Sequence, residues 1–194
     1  MRTVSPQEAV AALRAGNVAL VPTETVVGLV ATESGLPRIR EIKGREAAKP
    51  IALLCSSAAE AFGLAANVPP LAEKLAELYW PGPLTLVLDL PSGGTIGVRV
   101  PASRAVQELL AAYGGPLYAT SANLSGEPAP ATLDETDSRV LEAADVIVRG
   151  NEGSGEASAV VDLSGGRVRL LRADSELSTQ KLARFAPANP NPDA

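Results

Sequence analysis

The sequence predicts a single α/β domain built on a mixed β-sheet. The chain has 194 residues, and one hydrophobic core can serve chains of up to roughly 250 residues. Helical and strand-like segments alternate along it, but several strands also follow one another directly, which favours a mixed sheet over a purely parallel one. We find no internal repeat or interdomain linker. We predict one domain over residues 1–186 and a disordered Pro/Asn-rich tail over residues 187–194.

The first predicted helix has a clear start signal and a clear stop signal. Ser5 is suited to be its N-cap, Pro6 to begin its first turn and Glu8 to close a capping box. Apolar residues at helical spacing follow, and Gly16 ends the helix. An apolar run over residues 18–21 then predicts a buried strand, which stops at a proline.

The remaining elements are predicted from apolar spacing and from the Gly and Pro residues that separate them. We predict further helices over residues 36–43, 58–66, 70–79, 105–112, 133–144 and 178–185. We predict further strands over residues 51–55, 84–90, 96–100, 117–120, 146–148, 159–163 and 167–171. The Trp-Pro-Gly-Pro segment 80–83 predicts a rigid corner between a helix and a strand.

Composition narrows the classes of function. With 17 basic and 22 acidic residues, the formal net charge is −5, which argues against a broad basic face for nucleic acid. The chain has no histidine, so it lacks the commonest general base and metal ligand. The single cysteine, Cys55, lies in an apolar run that favours a buried, unreactive thiol. Without a signal-peptide pattern or an apolar run near the ~20 residues of a membrane span, we expect a cytoplasmic protein.

Two short polar patches give the main indication of a ligand site. Lys43-Gly44-Arg45 places two cations one residue apart where a predicted helix ends, and Ser121 and Asn123 follow a predicted strand at the same spacing. Two cations, a hydroxyl and an amide suit the binding of a nucleotide polyphosphate. Taken alone, the first patch is more typical of a solvated loop and the second of a turn that satisfies its own backbone. The functional interpretation therefore requires the two patches to meet in space.

Four further segments place polar residues near the ends of predicted strands. Residues 22–29 open from the first strand into hydroxyls, a carboxylate and a glycine, which fits either a ligand site or a turn. Arg99 lies within an apolar strand and needs an anion, either a structural carboxylate or a ligand. Arg172 repeats this situation. The glycine-rich segment 150–158 suits a lid or a long connection.

Taken in order, these motifs resemble those of the YrdC/TsaC-type threonylcarbamoyl-AMP synthases. The matching pieces are residues 22–29, Lys43-x-Arg45 with Lys49-Pro50, and residues 80–85, 98–101, 120–126 and 170–172. Each piece is weak evidence alone, but six in the same order over most of the chain are specific. No Walker A or Gly-x-Gly-x-x-Gly pattern occurs, so a nucleotide site here is neither a P-loop nor a Rossmann crevice.

The resemblance implies an ATP-dependent, AMP-forming reaction. Threonine and bicarbonate give N-carboxy-threonine, whose carboxylate attacks the α-phosphorus of ATP to form threonylcarbamoyl-AMP and pyrophosphate. A separate transferase system then passes the threonylcarbamoyl group to an adenosine of tRNA. The implied fold is a twisted mixed or largely antiparallel sheet flanked by helices around a large, electropositive concave cleft. Mg²⁺ is expected to arrive bound to the nucleotide, without a dedicated protein site.

Carried over position by position, the resemblance assigns residues to two halves of the site. The predicted catalytic tetrad, which surrounds the ATP, is Lys43, Arg45, Ser121 and Asn123. The further residues predicted on the ATP side are Lys49, Thr95 and Arg172. The residues predicted on the threonine side are Thr25, Arg99, Ala119 and Ser158. In this assignment the Arg99 guanidinium is suited to grip the amino-acid carboxylate as a fork.

Four positions that bear on the substrate pockets depart from the usual family pattern. Val27 stands in place of a tyrosine and Val30 in place of a glycine. Leu54 stands where some members have histidine, and Ala129 where some have an ATP-contacting serine. These departures concern the shape of the threonine pocket and the strength of ATP binding.

Three other classes of function are compatible with the resemblance. A YciO-like paralogue would share the fold without synthase activity, but that branch typically lacks the tetrad present here. A module for double-stranded RNA would use a basic cleft, which the net charge of −5 disfavours. A carbamoyl-transfer domain, as in hydrogenase maturation proteins, normally belongs to a larger chain.

Overall fold

The chain folds into one large sheet with helices packed on both faces, and the computed structural model describes residues 2–44, 51–151 and 153–185. Within those ranges the strands are β1 (Arg2–Val4), β2 (Ala19–Pro22), β3 (Val27–Ala31), β4 (Ala52–Leu54), β5 (Leu84–Asp89), β6 (Thr95–Arg99), β7 (Leu117–Ser121), β8 (Val146–Val148), β9 (Ala159–Asp162) and β10 (Arg169–Arg172). The α-helices are α1 (Pro6–Arg14), α2 (Leu36–Ile42), α3 (Ala58–Gly63), α4 (Pro70–Tyr79), α5 (Arg104–Tyr113), α6 (Ser138–Ala143) and α7 (Thr179–Ala183).

The sheet is mixed, which confirms the predicted fold class. Its strand order is β1-β8-β2-β3-β7-β4-β6-β5-β9-β10. Strands that follow each other directly, such as β2 with β3, β5 with β6 and β9 with β10, pair antiparallel. The parallel neighbours β1–β8, β8–β2, β4–β6 and β5–β9 are joined by longer connections, as parallel pairing requires.

One half of the sheet is covered on both faces. Val21 of β2 packs in a cluster with Leu13 of α1 and Leu109 of α5. The preceding residue, Leu20, points to the other face and packs with Ile39 of α2. Because both faces are buried, the strands in this half are almost continuously apolar.

The other half has one strongly apolar face. Leu84, Leu86 and Leu88 of β5 alternate toward a core shared with Leu75 of α4 and Leu182 of α7. Side chains alternate across a strand, so the residues between these leucines point to the opposite face. That opposite face carries the candidate site.

Two predicted local features are present in the structure. The Ser5 hydroxyl accepts from the Glu8 N–H at 3.2 Å, and the Ser5 N–H donates to the Glu8 carboxylate at 2.8 Å, which completes the capping box. At the corner over residues 80–83, the Gly82 N–H donates to the Val100 carbonyl at 2.8 Å. A Cβ on Gly82 would lie 2.4 Å from the Tyr79 carbonyl oxygen, so this corner requires glycine.

The structure corrects several predicted elements. Strand β1 was not predicted, because three residues are too few to show a period, and β3 lies where we predicted only an open turn. The helix predicted over 133–144 is helical only from Ser138 to Ala143, because the Asp137 side chain caps that helix at the Arg139 N–H. Helices predicted over 58–66 and 178–185 are shortened to α3 and α7.

The remaining general predictions have mixed outcomes. Cys55 is fully buried, and burial together with the nearby charge of Glu60 raises its thiol pKa to about 12, which fits an unreactive thiol. In the part of the chain that the structure describes, no helix is long and apolar enough to cross a membrane. The predicted tail, 187–194, lies outside the described residues, so the domain boundary stays a prediction.

Candidate active site

A cleft of about 290 Å³ lies on the face of the sheet opposite the β5 leucines. It results from strand alternation. Thr85 and Val87 of β5 line the cleft, whereas Leu86 and Leu88 between and beyond them are buried in the core. Strand β5 therefore has buried leucines on one face and smaller side chains on the other.

Strand β6 shows the same division and brings a functional side chain into the cleft. Thr95, Gly97 and Arg99 line the cleft, while Val98 is buried on the opposite face. A Cβ on Gly97 would lie 3.3 Å from the Thr85 side chain, which is a tight contact. The absent side chain at Gly97 therefore sets the depth of the cleft floor.

The two polar patches that are distant in sequence meet beside this cleft. The Lys43 ammonium group donates to the Asn123 carbonyl at 2.9 Å, to the Asn123 amide oxygen at 3.1 Å and to the Ser121 carbonyl. Lys43 is only 3% exposed, and Ser121, at the end of β7, lines the cleft. The Ser121 hydroxyl donates to the Asn123 amide oxygen, so the three side chains form one network. Two further cations predicted for the ATP side, Arg45 and Lys49, lie outside the described residues.

The six other predicted contact positions and Ser121 differ in their contacts but share one location. The residues that line the cleft include Thr25, Thr95, Arg99, Ala119, Ser121, Ser158 and Arg172. Thr25 comes from the turn before β3, and its hydroxyl lies 2.9 Å from the Thr23 hydroxyl. Ala119 lies on β7 and Thr95 at the exposed start of β6. The structure therefore brings the predicted nucleotide side and the predicted amino-acid side to one cleft.

Arg99 has an anionic partner within the protein. Its Nη2 donates to a Glu24 carboxylate oxygen at 2.6 Å, and its Nε donates to the Gly82 carbonyl at 3.0 Å. Both Nη1 and Nη2 lie 3.2 Å from the Thr25 hydroxyl. Of the two partners left open by the sequence, the structural carboxylate is therefore present, and the full fork that we predicted for a ligand carboxylate is not open.

Glu24 is held as a carboxylate. Burial opposes its ionisation, but the charge of Arg99 and the N–H of Ala102 outweigh burial, so the pKa of Glu24 lies below its usual value. Its second oxygen accepts from the Ser103 N–H at 3.1 Å. The Arg99 charge is thus compensated by a fixed partner.

Arg172 is a second guanidinium in the same cleft. Its Nε donates to the Ser158 carbonyl at 2.6 Å and its Nη2 to the Ser158 hydroxyl at 3.2 Å. Burial lowers the pKa of Arg172, and the neighbouring Arg99 charge lowers it further, while Asp174 acts in the opposite direction. An anion bound between the two guanidinium groups would relieve this repulsion.

The described part of the glycine-rich segment is docked on the turn that carries Thr25. The Ser154 N–H donates to the Glu24 carbonyl at 3.0 Å and the Gly155 N–H to the Thr25 carbonyl at 2.7 Å. A Cβ on Gly153 would lie 2.4 Å from the Thr23 carbonyl oxygen, so the two segments pack backbone to backbone. The described residues of this segment are therefore a connection that is hydrogen-bonded to the turn and forms a wall beside the cleft.

The four departures from the family pattern separate into two groups. Val27 and Val30 are buried in the helix-covered clusters on opposite faces of β3 and do not line the cleft. Leu54 and Ala129 do line it. Only the second pair therefore shapes the space available to a ligand.

Sequence reasoning missed part of the cleft wall. The small or polar residues that it did not identify as site residues are Thr23, Gly28, Ala52, Thr85, Gly97, Thr120 and Ala157. For Thr85 and Gly97 a signal was available in β5 and β6, as an alternation of large apolar residues with smaller ones. Glu24 was noticed only as part of a motif, because its partner is 75 positions away in the sequence.

Among the described residues, no three His, Cys, Asp or Glu side chains come together in a way that could hold a metal ion. The chemistry that the cleft offers is instead cationic and hydrogen-bonding. It provides two guanidinium groups, several hydroxyls and the buried Lys43 network next to a small apolar floor. Such a lining suits an anionic ligand that also carries a small apolar part.

Comparison with known proteins identifies the class to which this fold and site belong. Residues 11–174 match the family model Sua5_yciO_yrdC, whose description is "Telomere recombination". The chain therefore belongs to the Sua5/YciO/YrdC family, which confirms the family recognised from its motifs.

Several relatives carry the name threonylcarbamoyl-AMP synthase. The one from Pyrococcus abyssi is 37% identical over 173 residues, covering 82% of this chain and 51% of that protein. The putative one from Mycobacterium tuberculosis is 32% identical, covering 90% and 86%, and the human one is 33% identical, covering 91% and 70%. The chain thus spans about half the length of the Pyrococcus relative and most of the mycobacterial one.

Solved structures agree with the fold. P. abyssi Sua5 in complex with L-threonine has a TM-score of 0.76 at 33% identity, over 84% of this chain and 54% of that one. Escherichia coli YciO has the same TM-score of 0.76 at 24% identity, over 88% and 92%, and shows the fold alone.

Proposed function

We propose that this protein is an L-threonylcarbamoyladenylate synthase, which converts ATP, L-threonine and bicarbonate into threonylcarbamoyl-AMP, pyrophosphate and water. One observation carries the proposal: a single cleft is bordered by the Lys43–Ser121–Asn123 network at one end and by Arg99 and Arg172 at the other. The relatives named as synthases and the threonine-bound Sua5 structure support the same reaction.

At the nucleotide end, Lys43 fixes the shape of the turn over residues 121–123. Its ammonium group binds three oxygen atoms of that turn, so the Ser121 hydroxyl is held at the cleft. We propose that this turn and the cations Arg45 and Lys49 surround the triphosphate of ATP, with Thr95 as a further contact. The resemblance assigned Arg172 to the ATP side, but its guanidinium is hydrogen-bonded to Ser158 and lies next to Arg99, so we propose that it borders the amino-acid end. Neutralising that charge is the main electrostatic demand of an attack at phosphorus.

At the amino-acid end, the proposed ligand is threonine and then its N-carboxy derivative. Arg99 offers fewer donors than a fork, because Nε and Nη2 already have acceptors within the protein. Among the described contacts, one N–H of Nη1 has no acceptor, and we propose that it binds the carboxylate together with Arg172. Thr25, Ala119 and Ser158 complete this end of the cleft.

The proposed reaction needs alignment more than proton abstraction. An oxygen of the N-carboxy group forms a bond to the α-phosphorus while the bond from that phosphorus to the β-phosphate oxygen breaks and pyrophosphate leaves. In-line displacement of this kind depends on positioning and charge neutralisation, so a chain without histidine can catalyse it. Mg²⁺ bound to the nucleotide supplies further charge compensation. The product would then serve a separate transferase that modifies tRNA.

Pyrophosphate release tests the proposal. With ATP, Mg²⁺, bicarbonate and threonine present, we expect pyrophosphate to form, and we expect omission of either threonine or bicarbonate to stop it. Lys43→Ala should reduce turnover about 100-fold or more, as expected when a positioned electrostatic group is lost. Lys74→Ala, at an exposed lysine of α4, is the matched control and should leave turnover unchanged. Pyrophosphate release that is independent of threonine or of bicarbonate would sink the proposal, and a complete absence of release would favour a YciO-like or RNA-binding role.

A further inference from the structure

We propose that Glu24 is a positioning residue for the amino-acid substrate, because its carboxylate holds the Arg99 guanidinium in the orientation that leaves one Nη1 donor for the ligand. The inference rests on the proposed function and adds to it a residue that does not itself line the cleft. It follows from the contacts of Glu24, from the donors that remain on Arg99 and from the charge of Arg172.

Both oxygen atoms of the Glu24 carboxylate are fixed by groups of the protein. One accepts from Arg99 Nη2 at 2.6 Å and from the Ala102 N–H at 2.9 Å, and the other accepts from the Ser103 N–H at 3.1 Å. Ser103 is the N-cap of α5, so the carboxylate also sits where the positive end of that helix favours an anion. A carboxylate held from three directions cannot swing away from the arginine.

The fixed carboxylate determines which donors Arg99 has left. Glu24 accepts one N–H of Nη2, and the Gly82 carbonyl accepts the N–H of Nε. The Thr25 hydroxyl lies 3.2 Å from both Nη1 and Nη2, which leaves one N–H of Nη1 without an acceptor among the described contacts. Arg99 is 8% exposed, so it has little freedom to adopt another rotamer. The orientation of its remaining N–H therefore depends on Glu24.

The Glu24 backbone links the same residue to the wall of the cleft. Its carbonyl accepts from the Ser154 N–H at 3.0 Å, next to the bond from the Gly155 N–H to the Thr25 carbonyl. Residue 24 therefore joins the turn before β3, the end of β6, the start of α5 and the glycine-rich segment. Three of these segments line the cleft, through Thr25, Arg99 and Ser158, and the start of α5 supports them from outside it.

Charge gives Glu24 a second effect on ligand binding. Arg172 and Arg99 are close enough that the charge of one disfavours the charge of the other. With Glu24 ionised, the Arg99 charge has a fixed partner, and the ligand carboxylate needs to balance mainly Arg172. Without it, the two guanidinium charges repel each other with no fixed partner between them, and Arg99 is no longer held where its Nη1 is directed to the ligand.

The experiment compares Glu24→Gln with wild type in the pyrophosphate assay, with threonine and ATP varied separately. We expect the KM for threonine to rise roughly 10- to 100-fold, the range for loss of a hydrogen bond between charged groups, while the KM for ATP stays close to wild type and the protein, although less stable, remains folded at the assay temperature. Glu108→Gln, which breaks the exposed pair with Arg104 on α5, is the matched control and should leave both KM values unchanged.

A double-mutant cycle separates positioning from a general loss of structure. If Glu24 acts through Arg99, then Glu24→Gln should raise the threonine KM much less in an Arg99→Met background than in wild type. Additive effects of the two substitutions would overturn the inference. Glu24→Asp is the substitute variant for the case in which Glu24→Gln does not fold. It keeps the charge but shortens the side chain, so it should also raise the threonine KM.

The outcomes distinguish this inference from the proposed function. A wild-type protein that releases no threonine-dependent pyrophosphate overturns the proposed function and the inference with it. A wild-type synthase whose Glu24→Gln variant, or folded Glu24→Asp variant, keeps the wild-type KM for threonine overturns the inference alone.

Discussion

The two faces of β5 and β6 differ in the size and chemistry of their side chains. On one face, Leu86 and Val98 are fully buried against the helices. On the other face, Gly97 and Arg99 border an open cleft, and a Cβ added at Gly97 would lie nearest to the Thr85 side chain. One stretch of sequence thus supplies both the core and the site, which means that substitutions one residue apart should affect different properties.

The largest expected effect lies on the covered face. Leu86→Ala removes a fully buried side chain from the core, and such truncations cost about 2–5 kcal/mol. We expect urea unfolding to show this loss, while the threonine KM of the folded fraction stays near wild type. Leu78→Ala, on a leucine that is 55% exposed, is the control and should change stability little. A selective loss of substrate affinity in Leu86→Ala would show that the two faces are not independent.

A smaller effect, on catalysis rather than on stability, is expected on the cleft face. Gly97→Val would fill the floor of the cleft, because even a Cβ at this position lies 3.3 Å from the Thr85 side chain. We expect kcat/KM for threonine to fall about 10- to 100-fold, as for a pocket narrowed by one or two methyl groups. The free energy of unfolding should change less than in Leu86→Ala.

The control for that variant is Gly63→Val, at a glycine whose added Cβ would contact nothing within 4 Å. Its kinetic constants should match wild type. If Gly97→Val retains wild-type kcat/KM, then substrates do not approach the floor of this cleft, and the division between the two faces carries no functional meaning.

The smallest expected effect concerns the charge pair that borders the cleft face. The folded-state pKa of Glu24 lies below 4.5, so its ionisation stabilises the fold above pH 4.5, and that stabilisation is lost as the pH falls through the folded value. We expect the free energy of unfolding of wild type to exceed that of Glu24→Gln near neutral pH, and the gap to narrow under acid conditions. Urea titrations at a series of pH values measure it, and a gap that widens toward low pH would contradict the lowered pKa.

Local signals predicted much of the fold. The capping box of Ser5 and Glu8, the corner at Gly82 and most strands depend on neighbours within a few positions, so the sequence displays them directly. The errors have local causes too. Residues 133–136 do not form the start of the predicted helix, since the Asp137 side chain caps α6 and begins it later. Strand β3 was hidden by its double burial, which removes the alternating pattern.

The candidate site was predictable to a different degree. The resemblance located Lys43, Ser121 and Asn123 by their motifs, and the structure places them in contact. Composition and spacing alone left each patch more typical of a loop or a turn. Arg99 was identified as needing an anion, but nothing in the sequence indicated that Glu24 was the partner.

The sequence by itself determined the family, the mixed α/β class and the residue types available for chemistry, because these depend on local pattern and on motif order. Only the tertiary structure decided which face of each strand is open and which donors of Arg99 remain for a ligand. The pairing of β6 with β4 and β5 and the packing of α5 against the turn at Glu24 create those relationships between residues far apart in the chain. Contacts of that kind follow from how the strands assemble, and no single segment encodes them.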